Sequence, residues 1–124
     1  MLSGTVVNGK KLGGTIGFPT ANIEIKEPYK LIPSRGVYII RTRINGDLYN
    51  GIMNIGFNPT VLGKHQTIEA HLFDFNDDLY GKKITIALIH FLREEQKFNS
   101  VEELVDQLNI DKKNAISYLS NNRI

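Results

Sequence analysis

A chain of 124 residues, 41% hydrophobic and 23% charged, has the size and balance of one globular domain, and residues 1–124 are read as a single unit. A formal net charge of +2 is too small to argue for nucleic acid or an anionic membrane surface, so neither is expected as a partner. The absence of cysteine excludes disulfides and thiol chemistry, and with no apolar run of membrane-spanning length and no signal-peptide pattern at Met1-Leu2-Ser3-Gly4, a cytoplasmic location is the expectation.

Thr5-Val6-Val7 is a short β-type run ended by Asn8-Gly9. Gly4 to Lys11 fits G-x-x-x-x-G-K, but Lys11 replaces the Ser or Thr of a phosphate-binding loop and the interior is strand-like, so that motif is rejected. Next comes Gly13-Gly14-Thr15-Ile16-Gly17-Phe18-Pro19-Thr20-Ala21-Asn22. Its glycines free the backbone to bend into a nest of N–H groups of phosphate size. Thr20 to Ile25 reads as a strand, which puts Thr20 and Asn22 on one face. Their hard oxygens suit a Mg²⁺ ion that keeps several waters and completes its shell with nucleotide phosphates. On spacing alone the plainer reading is favoured, a surface turn in which Thr20 and Asn22 serve turn chemistry.

Lys26 to Arg35, with Pro28 and Pro33, reads as a loop. Gly36 to Ile44 and Asp47 to Ile55 read as strands joined by Asn45-Gly46, a type I′ hairpin signal. Gly56 to Gln66, with Asn58-Pro59-Thr60 and Gly63, reads as a long loop. Thr67 to Phe75 is the next expected strand, a turn follows at Asn76-Asp77-Asp78, and Lys83 to Leu92 is the last strand, with Ile84, Ile86 and Leu88 on its buried face. Helix is expected only at the end. Ser100 and Glu103 form a capping box, and Val101, Leu104, Val105 and Leu108 make an apolar stripe. Asp111 is read as the cap of a second, short helical piece carrying Ile116 and Leu119. Many short strands before one helical region indicate a mainly β fold, a small antiparallel barrel.

Strand parity divides Thr67 to Asp74 into Ile68, Ala70 and Leu72 on one face and Glu69, His71 and Phe73 on the other. Glu69 is therefore a carboxylate on a face not required for packing, free for proton abstraction or for pairing with a surface lysine. The three histidines show no metal spacing.

Gly17-Phe18-Pro19-Thr20-Ala21-Asn22 resembles the G-x-P-T-A-N signature of the riboflavin kinase (flavokinase) family. The likeness continues through Gly51-Ile52-Met53-Asn54-Ile55-Gly56-Phe57-Asn58-Pro59-Thr60, Ile68 to Phe75, Asp78-Leu79-Tyr80-Gly81 and Arg93 to Ser100, in the family's order. The resemblance implies a six-stranded antiparallel Greek-key barrel with a C-terminal helix, and an ATP:riboflavin 5′-phosphotransferase that makes FMN and ADP with Mg²⁺. It implies Glu69 as the catalytic base and Thr20 and Asn22 as metal ligands. Gly9, Gly13, Gly14, Gly17, Pro19, Thr20, Asn22, Leu72, Asp74 and Tyr80 would surround the nucleotide; Arg93, Gln96 and Phe98 would meet the flavin. Without the resemblance, Tyr80 fills a barrel end, Arg93 is a strand-end charge and Phe98 a helix staple. Flavokinases commonly carry Arg or Lys where this chain has Gly14, a departure that either weakens nucleotide affinity or hands the charge to Lys10 or Lys11. In many bacteria such a module adjoins an FAD-synthetase domain, fused or separate, whose His-x-Gly-His motif is not found here. The rival readings are a flavin- or nucleotide-binding regulatory domain of the same fold and, more remotely, a barrel for single-stranded nucleic acid.

Overall fold

In the computed structural model, which describes residues 2–10, 20–25, 33–60, 63–75 and 80–122, six strands close into an antiparallel barrel. They are β1 (Leu2–Lys10), β2 (Thr20–Ile25), β3 (Gly36–Ile44), β4 (Asp47–Thr60), β5 (Gly63–Leu72) and β6 (Lys83–Arg93), followed by helix α1 (Val101–Asn122). The order around the barrel is β1-β2-β5-β4-β3-β6. β3, β4 and β5 are consecutive neighbours while β2 lies beside β5, which is the crossing of a Greek key.

Alternation of apolar residues selects the interior. Val6, Ile23, Ile40, Met53, Ile68 and Ile86 are among the buried side chains that meet inside the barrel. A second cluster forms outside the wall, where Val37, Ile39, Ile52 and Phe73 are covered by Leu108, Ala115 and Leu119 of α1. The first half of β3 is therefore buried on both faces. Asn45 and Gly46 take positive φ angles of 52° and 91°, so the hairpin between β3 and β4 forms where the sequence indicates it.

Three expectations change. Residues 56–60 and 63–66 are not a loop but the end of a hairpin, with pairs running from Gly56↔Thr67 to Thr60↔Gly63. No third strand pairs with this extension among the described residues, so Pro59, which has no N–H, costs the ladder no bond on a second side. β5 ends at Leu72, earlier than Phe75, because Asp74 turns into the left-handed region at φ 58°. The helix is one piece through Asp111, which caps nothing: at 1% exposure it lies in the buried stripe with Leu108, Ala115 and Leu119, while Val101 and Ile116 are exposed. A charge at a core position reads as a break in sequence; here it is neutralised from the barrel. The capping box forms, with Glu103 N–H donating to Ser100 Oγ and Asn99 N–H donating to the Glu103 carboxylate.

Candidate active site

The register lines up the functional candidates. Asn22 of β2 stands opposite Glu69 of β5, Glu69 opposite Asn54 of β4, Asn54 opposite Val37 of β3, and Val37 opposite Arg93 of β6. Ala21 and Ile23 flank Asn22 and point inward, as Ile68 and Ala70 flank Glu69 and Met53 and Ile55 flank Asn54. Asn22, Glu69 and Asn54 therefore share the outer face of the wall. Thr20 stands opposite His71, and His71 opposite Ile52, one row along. Neighbouring strands are about 4.8 Å apart, so each step along a row advances a ligand by about that much.

Arg93 reaches its row through irregularity. Tyr38 pairs with Phe91 and Val37 with Arg93, so Leu92 is an extra residue on β6, and Ile89 is another between the partners of Ile39 and Ile40. Such bulges re-aim the side chains beyond them. Arg93 then faces α1, where its Nε and Nη2 donate to Asp111 Oδ1 and Oδ2, both at 2.8 Å, and its Nη1 donates to the Glu94 carbonyl at 2.9 Å. Gln107 Nε2 adds a bond of 2.9 Å to Asp111 Oδ1. Three of the five guanidinium N–H groups are thus committed, which leaves two for a ligand.

Between this row and α1 lies a narrow cleft of ≈ 60 Å³, walled by Asn54, Glu69 and His71 from the barrel and by Arg93, Gln96 and Phe98 from β6 and the segment after it. Apolar Val37, Ile52, Leu104 and Leu108 complete it. Glu69, Gln96 and Phe98, distant in sequence, are brought to one opening, and Arg93 borders it with its fork turned to Asp111. Glu95 reaches back so that its carboxylate lies where a Cβ on Gly56 would be, which seats the 94–99 segment against β4.

Other candidates stand elsewhere. Leu72 packs in the barrel interior, so only its backbone is available to a nucleotide. Asp74 and Tyr80 are exposed, Tyr80 at 67%. Gly13, Gly14, Gly17 and Pro19 lie outside the described residues; Gly9 is placed by its pairing with Ala21, and Thr20 by its pairing with Lys10 and His71. Sequence reasoning assigned no site role to Asn54 or Gln107 and read Asp111 only as a helix cap. The alternation of β4 could have put Asn54 outward, but no sequence signal gives the register that sets it beside Glu69.

Among the described residues no cluster of three or more His, Asp or Glu side chains is arranged to hold a metal. The side-chain oxygen of Asn22, on the outer face beside Glu69, nevertheless suits a cation that takes most of its ligands from water and phosphate.

A family model for flavokinase, described as riboflavin kinase, matches residues 1–119. The bifunctional riboflavin kinase/FMN adenylyltransferase of Bacillus subtilis (strain 168) is 45% identical over 125 residues, covering 98% of this chain and 39% of that protein. The chain thus spans about two-fifths of the length of that relative. Riboflavin kinase from Trypanosoma brucei is similar in structure, with a TM-score of 0.64 and 25% identity over 96% of this chain and 78% of that one. A Streptococcus pneumoniae structure described as a macrolide-efflux protein has a TM-score of 0.81 and 37% identity, over 90% of this chain and 36% of its own. Barrel topology and a family match over almost the whole length agree, and the chain belongs to the riboflavin kinase family.

Proposed function

We propose that this chain transfers the γ-phosphate of ATP to the terminal ribityl hydroxyl of riboflavin, giving FMN and ADP. The observation that carries this reading is the direct pairing of Asn22 with Glu69, with the cleft opening beside Glu69 towards Arg93, Gln96 and Phe98. A carboxylate and a hard oxygen donor one strand apart suit a reaction in which a hydroxyl loses a proton next to a charged phosphate.

In this reading the flavin enters from the Gln96 and Phe98 side, and its ribityl chain runs along the outer wall towards Glu69. The Glu69 carboxylate accepts a hydrogen bond from the terminal hydroxyl and orients it in line with the γ-phosphate. As the new O–P bond forms, the hydroxyl proton passes to Glu69, and the bond between the γ-phosphorus and the β–γ bridging oxygen breaks with release of ADP. Asn22, with Thr20 two residues before it on β2, would hold Mg²⁺ at the phosphates. Bound there, the ion would neutralise phosphate charge. Phe98 and the apolar wall of Ile52, Val37 and Leu104 exclude water and offer a surface to the flavin ring.

The test is incubation of the purified protein with riboflavin, ATP and Mg²⁺, with FMN followed by chromatography. Formation of FMN that requires both ATP and the metal is expected. Riboflavin binding without FMN would reassign the chain as a flavin-binding relative that lacks turnover.

A further inference from the structure

Asn54 Oδ1 is the buried side-chain polar atom that stands without a hydrogen-bond partner among the described residues. A buried acceptor left in this state is costly, and native folds rarely keep one without a use. Its position supplies a use. Asn54 is directly opposite Glu69 on the outer face of the wall and lines the same cleft. Apolar Ile52 and Val37 also line it and offer that oxygen no donor.

We infer that the Asn54 side-chain carbonyl accepts a hydrogen bond from a secondary hydroxyl of the ribityl chain and so selects a polyol over a plain alkyl substituent on the flavin. The inference rests on the reading of Glu69 as the group that meets the terminal hydroxyl. From Glu69, one strand step of about 4.8 Å along the row reaches Asn54. That is a few carbon–carbon bonds back along the substrate chain, where the secondary hydroxyls lie. The step leads from Asn22 through Glu69 to Asn54 and on towards Arg93, the direction in which phosphate, terminal hydroxyl, polyol and ring must follow one another. A flavin without hydroxyls would leave the acceptor buried and unpaired, so the site discriminates by what it leaves unsatisfied.

The test uses Asn54→Leu, which keeps the size and removes the acceptor, and reads two quantities. Riboflavin affinity, measured by quenching of flavin fluorescence without ATP or metal, should fall about tenfold, the loss of one hydrogen bond. The thermal midpoint of the ligand-free protein should rise by about 3–6 °C, because a buried unsatisfied group has been removed. Asn54→Thr, which retains a shorter acceptor, should fall between Leu and wild type in affinity. Unchanged riboflavin affinity in Asn54→Leu overturns the inference. So does a ligand-free Asn54→Leu protein that is less stable than wild type or fails to fold, since the amide then has a structural partner. If the wild type binds no riboflavin, the proposed function falls first, and the inference with it.

Discussion

Asp111→Ala is the perturbation whose size the structure fixes best. Asp111 is 1% exposed, and its carboxylate receives two bonds from Arg93 and one from Gln107. Cutting one partner out of a buried ion pair costs about 3–5 kcal/mol, most of it the penalty of the charge left behind. Arg93 keeps 21% of its side chain in solvent and can recover part of its hydration, which places the loss near the lower end, about 3 kcal/mol. Asp111→Asn keeps the shape and one carbonyl acceptor, so about 2 kcal/mol is expected there. Urea unfolding followed by far-ultraviolet circular dichroism measures it. With a slope of about 1.5 kcal/mol per molar urea, Asp111→Ala should lower the midpoint by about 2 M. Replacing both members by apolar residues, Arg93→Met with Asp111→Leu, should restore most of the stability, because no charge is then stranded. An Asp111→Ala protein within about 0.5 kcal/mol of wild type would refute the argument, since surface pairs contribute no more than that. Should the double variant be stable yet bind riboflavin normally, the two uncommitted N–H groups of Arg93 have no part in flavin recognition.

Glu69→Gln keeps a hydrogen-bond acceptor for the hydroxyl and loses the base, so kcat should fall about 10²–10⁴-fold, with a larger fall in Glu69→Ala and riboflavin affinity within a few-fold of wild type; wild-type turnover in Glu69→Gln would refute the assignment. Asn22→Ala should raise the Mg²⁺ concentration needed for half-maximal rate while leaving metal-free riboflavin binding unchanged, and an unaltered Mg²⁺ titration would return Asn22 to a purely structural place. Gly51→Ala should cost about 1–3 kcal/mol in urea unfolding, because the added Cβ meets the His71 carbonyl and lies 3.0 Å from the Leu72 Cα, both backbone of the neighbouring strand. A tolerated Gly51→Ala would mean that β4 and β5 can separate at that point without loss.

Local chemistry made much of the barrel readable. β2 and β3 begin and end where alternation and turn residues place them, and the Asn45-Gly46 hairpin follows from positive φ. The reading failed where a residue's local preference was outweighed by its partners. Pro59 and Gly63 are strand breakers in isolation, but they pair with Lys64 and Thr60 in an extension with no third strand to satisfy. Asp111 reads as a cap because a lone aspartate belongs at a helix start; only the arrival of Arg93 from β6 makes it a core residue. In the site, parity placed Glu69 outward correctly, since parity is a property of one strand. Asn54 was missed because its meaning depends on the register between two strands. Arg93 was assigned to the flavin without sight of Asp111, because the bulges that re-aim β6 at Leu92 and Ile89 leave no mark in composition or period.

The Arg93–Asp111 pair, which escaped the sequence, and the capping box, which did not, bear on how a ligand fits. Small-molecule pockets run to about 300–1,000 Å³, whereas this cleft holds ≈ 60 Å³. In the proposed reading, a flavin ring seated wholly within it would displace one wall. The barrel side is a paired ladder and cannot move without breaking strand bonds, so the displacement falls on the side carrying Gln96 and Phe98. That segment is pinned at both ends: Arg93 is held to the helix by Asp111, and Asn99 N–H by the Glu103 carboxylate. What lies between is exposed apart from the half-buried Phe98, so swinging it outward uncovers little apolar surface besides that ring but also withdraws the Glu95 carboxylate from Gly56. Phe98, which lines the cleft with Leu104 and Ile52, would then meet the face of the flavin. In that case the ion pair and the capping bond would keep the helix on the barrel while the cleft widens.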